Sequence, residues 1–437
     1  MPALLHASLK KKIKKNEYKA QAEITEAQWS YGRVRKSERV PYLFKRIMNP
    51  KILAALPGVA ACVIVTLIYP FVLRYAIRHN IVDNPNARKL QRTPVPVFGG
   101  VAVFMGVLPA VVVTGIFFND FPTTTVNLCA ITVMLAIGVW DDRRDISAIF
   151  RFIVEIMIVF LMMLATGCFI DDFHGLWGIH GIPEYVAWPL SIFAGVGIIN
   201  AINLIDGVNG YSSGYVIVSC LLFAAFFLHC GMITLAGLAL IGVGALIPFF
   251  LHNVFGGKSK MFIGDGGTLM MGTAIAFFVA YCLSSGSTVK ELEARNFGLI
   301  AFTLAVLSIP VFDTLRVMSV RMLRHLSPFH PDKTHLHHLF IDMGFSHSGT
   351  TMAILSMNIT TVLIWFLSWK LGASINLQTY IVVALGILNT FVFYKFMKVQ
   401  AARDSRIYRF MCSLGSLTHI GNTRFWKFMR GTVDRMS

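Results

Sequence analysis

Residues 185–210 of the sequence read YVAWPLSIFAGVGIINAINLIDGVNG, a long apolar run that ends in a polar cluster. The run over 185–204 is long enough to cross a bilayer as one helix, which needs roughly 20 residues. Four polar side chains recur near its end at a spacing of three: Asn200, Asn203, Asp206 and Asn209. That spacing places them along one slowly drifting face of the helix and its following turn. Because amides and carboxylates are costly near hydrocarbon, the stretch predicts a membrane helix with a functional site at its end.

Similar apolar runs continue over most of the 437 residues. Hydrophobic residues make up 55% of the chain and charged residues only 14%, whereas a soluble protein carries about a quarter charged residues. The runs are continuous rather than alternating, which argues against a membrane β-barrel. The predicted spans are about 52–77, 96–118, 124–140, 149–169, 185–204, 212–230, 232–251, 267–284, 297–315, 350–371 and 377–398. We therefore predict an all-α polytopic membrane protein with about 11 transmembrane helices, in a domain that covers residues 52–398.

The positive charge of the chain, +17 in total, is unevenly distributed. Lys and Arg collect in the loops that follow odd-numbered spans, whereas the loops at 119–123, 170–184 and 372–376 contain none. Basic loops stay on the cytoplasmic side of a membrane, so the odd-numbered spans are predicted to end there. The basic residues lack the interleaved aromatic residues of an RNA-binding surface. We therefore expect anionic headgroups of the lipid bilayer as partners, and no nucleic acid.

Five polar clusters interrupt the apolar chain, at residues 83–89, 141–145, 200–209, 264–267 and 332–338. Each lies at or just beyond the end of a span, and all five fall on the side predicted to be cytoplasmic. Because polar groups near hydrocarbon need hydrogen-bond or charge partners and often have a functional role, we expect the five clusters to form one site. This favours a membrane enzyme. An ion-coupled secondary transporter is the alternative from a different class, but it would place acids near helix middles and show a repeat between its halves.

The two ends of the chain lie outside the predicted membrane domain. Residues 1–51 form a basic N-terminal extension and residues 399–437 a basic cytoplasmic tail. With eleven spans the N-terminal extension would lie outside the cell, which conflicts with its charge. Either one span is miscounted, or translation starts downstream, with Met48 as the candidate start; a disordered extension is the third interpretation. Residues 1–9 are too short and too weakly apolar for a cleaved signal peptide.

The cluster around Asp265 is typical of a cation site. The sequence FIGDGG at 262–267 places one carboxylate between glycines at the start of a predicted helix. A hard cation such as Mg²⁺ prefers this kind of ligand, and the helix N-terminus adds donors for phosphate oxygens. Simple N-capping by Asp265 is the alternative. In the 200–209 cluster, Asn and Asp side chains together can hold a metal, a phosphate through that metal, and the edge of a base; a capped glycine-rich turn is the alternative.

Asp141 and Asp142 end the third span. Adjacent residues on a helix point about 100° apart, so one acid can face the site while the other faces a basic loop. They could orient a metal, a proton or a phosphate nucleophile. An ordinary charged helix end, paired with Arg143 and Arg144, is the alternative.

The late loop PDKTHLHH at 331–338 contains His335, His337 and His338. Its spacing does not match a structural zinc site, but three imidazoles can donate hydrogen bonds to phosphate or sugar oxygens. In the first loop, Lys89 and its neighbouring arginines are candidates for phosphate contacts. The alternatives are a solvated histidine-rich loop and plain positive-inside topology.

In combination and order these motifs resemble the polyprenyl-phosphate N-acetylhexosamine-1-phosphate transferase family, glycosyltransferase family 4. The resemblance rests on N-x-x-N-x-x-D-G at 200–207, F-x-G-D-x-G at 262–267, the Asp-Asp pair at 141–142 and the histidine motif at 335–338. It covers about residues 83–340. The H-x-H-H form looks like the branch that uses UDP-N-acetylglucosamine (UDP-GlcNAc). Two positions depart from the pattern: Asn209 stands where many relatives have Asp, and Gln91 where many have His.

The resemblance implies a transfer of N-acetylhexosamine 1-phosphate from a UDP-sugar to undecaprenyl phosphate, with release of UMP. It implies a Mg²⁺ ion, with Mn²⁺ as the alternative, held by Asp265 with help from Asn203. It also implies that Asp141 or Asp142 orients and deprotonates the lipid phosphate. The residues implied in substrate binding are Lys89, Asn200, Asp206, Asn209, His335, His337 and His338.

The implied location is the bacterial inner membrane, with the active site facing the cytoplasm. The phospho-MurNAc-pentapeptide transferase branch remains an alternative within the family, although it usually shows three consecutive histidines. A homodimer is one assembly that the sequence leaves open.

Overall fold

The computed structural model describes residues 50–84, 93–285, 292–328 and 333–436. These residues are almost entirely helical, with a single two-stranded antiparallel sheet formed by β1 (Val82–Asp83) and β2 (Val95–Pro96). The long helices of the first part of the chain are α1 (Pro50–Arg78), α2 (Gly99–Phe118), α3 (Phe121–Arg144), α4 (Ala148–Thr166), α5 (Glu184–Leu204), α6 (Tyr211–His229), α7 (Ile233–Phe255) and α8 (Gly264–Cys282). The second part contains the short helices α9 (Leu299–Val306) and α11 (Leu336–Asp342) and the longer helices α10 (Ser308–Leu323), α12 (His347–Lys370), α13 (Ile375–Ile387), α14 (Phe393–Ala402), α15 (Arg406–Leu417) and α16 (Arg424–Arg435).

The prediction of an all-α protein with about eleven spans is confirmed. In the described residues, ten helices are long and apolar enough to cross a membrane, and a bent pair makes up to eleven. The predicted span at 297–315 corresponds to this pair, α9 and α10, which meet at an angle of 75°. Pro310 lies in the first turn of α10, where a missing N–H costs little.

The break between α9 and α10 is stabilised by one side chain of α12. The Asn358 amide oxygen accepts hydrogen bonds from the Ile309 N–H at 3.2 Å and the Ser308 hydroxyl at 2.9 Å. Its amide nitrogen donates to the Val306 carbonyl at 3.1 Å. Backbone groups freed at membrane depth must find such partners, so a helix break is tolerated here.

Helix α8 lies at the centre of the bundle and is the most buried candidate span in the described residues. Glycines let it approach its neighbours α2 and α3. A Cβ atom on Gly138 of α3 would lie 2.4 Å from the Gly266 Cα, and one on Gly100 of α2 would lie 2.5 Å from the Gly267 Cα. The two last glycines of FIGDGG are therefore packing residues.

The C-terminal residues, predicted only as a basic tail, contain helices α15 and α16. Helix α16 is attached to the loop before α8. The Asp434 carboxylate accepts hydrogen bonds from the Gly257 and Ser259 N–H groups, both at 3.0 Å, and the Trp426 ring lies 4.6 Å from the Phe255 ring. The interpretations offered for residues 1–49, including the start at Met48, concern positions outside the described residues.

Candidate active site

The polar clusters line one cavity of about 500 Å³ at a single end of the bundle. Among the residues that line it are Asp83, Asp141, Asp142, Asn203, Asp206, Asn209, Gly264, Asp265 and His338. Each of the five clusters therefore contributes at least one residue. Three predicted site residues, Asn200, His335 and His337, do not line the cavity. Lys89 lies outside the described residues.

Asp265 and Asn203, predicted together as metal ligands, are in contact. The Asn203 amide nitrogen donates to Asp265 Oδ1 at 2.9 Å and to Thr268 Oγ1 at 2.8 Å. Asp265 lies in the first turn of α8, and its side chain remains 40% exposed. Its second oxygen lies 4.0 Å from Arg151 Nη1. Asn203 of α5 thus fixes the orientation of the Asp265 carboxylate, which remains accessible to a ligand in the cavity.

Asp142 caps helix α8. Its carboxylate oxygens accept hydrogen bonds from the Asp265 N–H at 2.9 Å and the Gly266 N–H at 3.2 Å. Gly264 has a φ of 73°, and a Cβ atom there would lie 2.5 Å from Asp142 Oδ2. Only glycine adopts this backbone readily and leaves room for the carboxylate. Asp142 therefore satisfies two of the N–H groups that a helix start leaves without partners.

Asp141 turns away from its neighbour, as the 100° rotation predicts. Its carboxylate accepts hydrogen bonds from Arg151 Nη1 and from the Ile146 N–H, both at 3.0 Å. Arg151 belongs to α4, ten residues further along the chain. The basic partner of the acid pair is therefore Arg151, and not the adjacent arginines that the sequence suggested.

Behind the cavity lies an acidic residue that the sequence analysis missed. Glu155 of α4 has a fully buried side chain, accepts a hydrogen bond from the Asn200 amide nitrogen, and lies 3.5 Å from Arg151 Nε. Asn200 therefore supports the lining from behind and does not contact the cavity. A lone Glu inside the apolar run 148–166 was the available signal, since an intramembrane carboxylate needs a partner.

The turn that follows α5 brings Asp206 to the cavity. Its carboxylate accepts a hydrogen bond from the Ser212 hydroxyl at 2.5 Å. Asp206 is exposed to the cavity, but the protein around it limits its contact with bulk water, and this raises the pKa of Asp206 to about 6; the Ser212 hydrogen bond opposes the effect, and the negative charge of Asp265 adds to it. The turn is held by Asn253, whose amide accepts from the Gly210 N–H at 2.7 Å and donates to the Met261 carbonyl at 2.9 Å.

We expect the Asp206→Asn variant to be more stable than the wild type at pH 8, although less active. The folded-state pKa of about 6 exceeds the ordinary value of about 4, so ionisation disfavours the folded state. This penalty is absent below about pH 4, grows as the pH rises, and is complete above about pH 6. Asn keeps an acceptor for Ser212 without the charge. Thermal unfolding from pH 4 to pH 8 should show a higher Tm for the variant that disappears towards pH 4; a lower Tm at pH 8 would contradict the assignment.

The three histidines of the late loop have different surroundings. His335 Nδ1 lies 3.0 Å from Asp313 Oδ2, and Asp313 in turn is paired with Arg316 Nη2 at 2.6 Å. His337 packs against the turn after α5: a Cβ atom on Gly207 would lie 2.1 Å from its Nε2. Burial and the neighbouring histidines hold the pKa of His337 well below its usual value. Only His338 of the three faces the cavity.

A second cavity of about 410 Å³ adjoins the first and shares Asn209, Lys260 and His347 with it. Its other walls come largely from the C-terminal segment, including His419, Trp426 and Arg430. Burial lowers the pKa of Lys260, and the Asn209 N–H donates to His347 Nδ1 at 3.3 Å. Neither Lys260 nor His347 was among the candidate site residues, because no sequence motif marks either of them.

Comparison with known proteins identifies the family to which the chain is similar. A family model described as glycosyl transferase family 4 matches residues 124–283, a range that contains Asp141, Asp142, Asp265 and the cluster at 200–209. A Bacillus subtilis (strain 168) protein named probable undecaprenyl-phosphate N-acetylglucosaminyl 1-phosphate transferase is 30% identical over 299 residues, which is 66% of this chain and 78% of that protein. Undecaprenyl-phosphate alpha-N-acetylglucosaminyl 1-phosphate transferases of Yersinia pestis and Escherichia coli K12 are each 30% identical, over 292 and 291 residues. These alignments each cover 64% of this chain, and 75% and 74% of the two relatives.

Proposed function

Because the chain belongs to glycosyl transferase family 4, we propose that this multi-pass membrane protein transfers N-acetylglucosamine 1-phosphate from UDP-GlcNAc to undecaprenyl phosphate and releases UMP. The observation that carries the proposal is the single cavity in which all five polar clusters meet around Asp265. A soluble nucleotide-sugar and a membrane-bound phosphate can meet in such a cavity, because it is polar and lies at the ends of apolar spans.

The acidic groups of the cavity fit a hard divalent cation. Asp265, Asn203 and Asp206 line one cavity, and carboxylate and amide oxygens, which these residue types carry, are the preferred ligands of Mg²⁺. We assign Mg²⁺, or Mn²⁺ in its place, to Asp265 with help from Asn203. When bound, the cation would neutralise the diphosphate charge of the donor.

The acid pair is assigned to the lipid phosphate. In this proposal Asp141 or Asp142 accepts the proton of the phosphate and directs its oxygen at the β-phosphorus of the donor, where the bond to UMP breaks. Asp142 is close to the cation ligand, because the Asp265 N–H donates to it at 2.9 Å. Arg151 lies between Asp141 and Asp265 and can attract the anionic phosphate to this side of the cavity.

The remaining lining residues are assigned to the donor. Asp206, Asn209, His338 and Lys260 line the cavity and offer groups for the uridine, the sugar and the phosphates. Asn200, His335 and His337 are assigned a positioning role, since none of them lines the cavity, and Lys89 stays a prediction. The proposed location is the cytoplasmic face of a bacterial inner membrane, in keeping with the basic loops of the odd-numbered spans.

The proposal is tested by an assay with labelled UDP-GlcNAc. Membranes that contain the protein, undecaprenyl phosphate and Mg²⁺ should convert the label to a lipid-soluble form and release UMP in equal amount. A chelator should stop the reaction and added Mg²⁺ should restore it. Membranes with the Asp265→Asn variant provide the control.

Three outcomes of this assay would contradict a part of the proposal. Product with UDP-MurNAc-pentapeptide or another UDP-sugar, and none with UDP-GlcNAc, would contradict the donor. Full activity in the presence of the chelator would contradict the cation. No product with any donor would contradict the transferase activity itself.

A further inference from the structure

A second group of metal-ligating side chains lies far from the cavity. Helix α4 begins beside the cavity, where Arg151 contacts Asp141, and its 19 residues extend roughly 28 Å. The segment after α4 is therefore at the opposite end of the bundle. It forms a hairpin over 171–182, in which the Phe173 N–H donates to the His180 carbonyl at 3.2 Å and the Ile182 N–H to the Asp171 carbonyl at 2.8 Å.

Four side chains meet where this hairpin contacts the segment before α9. Ligand atoms of Asp172, His174 and Glu293 all lie within 4.8 Å of one another. His174 Nδ1 contacts Glu293 Oε1, and His180 Nδ1 lies 3.8 Å from Glu293 Oε2. The set therefore offers two imidazoles and two carboxylates, three of them from the hairpin and one from a segment more than a hundred residues later.

The burial of this group favours a ligand over a simple ion pair. The His174 side chain is only 1% exposed, and its Nε2 has no hydrogen-bond partner among the described residues. Asp172 is also buried, and residues 167–184 contain neither Lys nor Arg. A buried carboxylate and a buried imidazole, beside a second carboxylate that is only 15% exposed, are costly unless a cation compensates the negative charge.

We propose that Asp172, His174 and Glu293, with His180 as the fourth ligand, bind one zinc ion. Zinc takes imidazole nitrogen and carboxylate oxygen in tetrahedral sites, whereas Mg²⁺ prefers oxygen ligands alone. The site is thus chemically different from the one around Asp265. Ligand atoms around a tetrahedral zinc lie roughly 3.3 Å apart, so small rotations of these side chains complete the set.

The ion would fasten the hairpin to the segment before α9. The hairpin already contacts α13, because the Trp177 N–H donates to the Asn376 side chain at 2.7 Å and the Trp177 ring nitrogen donates to the Tyr380 hydroxyl at 3.0 Å. With zinc bound, the hairpin connects the segment before α9 with α13 at this end of the bundle.

The experiment measures zinc in the full-length protein, purified without a histidine tag, incubated with ZnCl₂ and freed of excess metal by gel filtration. We expect about one zinc per chain by elemental analysis, and a higher Tm with zinc than without. Glu293→Gln and His174→Gln should each lose the zinc and the Tm increase. Because the His180 side chain is 64% exposed, we expect His180→Ala to keep the fold and to lower the zinc affinity about 10-fold or more.

Two matched controls locate the metal. His229→Ala removes an exposed histidine at the end of α6, and His338→Ala alters the cavity at the other end; both should keep about one zinc. A wild-type protein without zinc, or zinc retained in both the Glu293→Gln and His174→Gln variants, would overturn the proposal.

Discussion

The Asp265→Asn variant should lose roughly 10³-fold or more of the wild-type turnover while keeping its fold. The substitution removes the negative charge from the carboxylate to which the cation is assigned. The Asn side chain still offers an oxygen to the Asn203 amide, which donates to Asp265 Oδ1 at 2.9 Å in the wild type. Turnover is measured as UMP release at saturating UDP-GlcNAc, over a series of Mg²⁺ concentrations.

Asp120→Asn is the matched control for this experiment. Asp120 also lies at the start of a helix, where it accepts a hydrogen bond from the Thr123 N–H at 3.4 Å. It lies at the beginning of α3, whereas the cavity residues Asp141 and Asp142 lie at its end. Near-normal, Mg²⁺-dependent turnover of the Asp265→Asn variant would remove Asp265 from the cation site.

The Asp142→Ala variant should lose both turnover, by about 10²-fold or more, and stability, by about 1 to 2 kcal/mol. Alanine leaves the Asp265 and Gly266 N–H groups without the acceptor that they have at 2.9 and 3.2 Å. The first turn of α8 then has freedom to move, and Asp265 moves with it. Thermal unfolding and UMP release, measured on the same preparations, report the two effects.

Asp142→Asn separates the two roles of this residue. One amide oxygen can replace part of the cap, so we expect the Tm to recover more than the turnover, because an amide cannot accept the proton of the lipid phosphate. If the turnover recovers together with the Tm, Asp142 acts only as the cap of α8. Asp120→Ala, which removes a helix cap far from the cavity, should lower the Tm without lowering the turnover; an unchanged Tm and turnover in Asp142→Ala would refute both roles.

The spacing of three at 200–209 shows how far sequence reasoning reaches. Three residues advance a helix by 300°, so each step of three rotates the side chain back by 60°. Asn200 and Asn203 therefore diverge, and the two amides contact different helices: Asn200 bonds to Glu155 of α4 and Asn203 to Asp265 of α8. The sequence indicated that these side chains lie along one drifting face of the helix. Which neighbouring helix each side chain contacts depends on packing.

The histidine loop illustrates a different limit. Its three histidines were grouped because they are adjacent in sequence, but two of them face the protein interior. His335 is held by Asp313, a residue of α10 that had no motif of its own, and His337 fills the space beside Gly207. Their partners lie 22 residues away in one case and more than a hundred in the other, so no local pattern could have identified them.

What the sequence alone determined is the class of fold and the polar residue types from which the cavity is built. In a bilayer every backbone group needs a hydrogen-bond partner, and a helix supplies most of these partners within its own segment, so apolar length by itself identifies the helices. The carboxylates and amides that interrupt the apolar runs can be read directly from the sequence. What only the tertiary structure decided is which polar residues line the cavity and which support it. That depends on the rotation of each helix and on contacts between distant segments, such as Asp142 with the start of α8 and Asp434 with the loop before it. Such contacts are set by packing over the whole bundle, and the local sequence does not encode them.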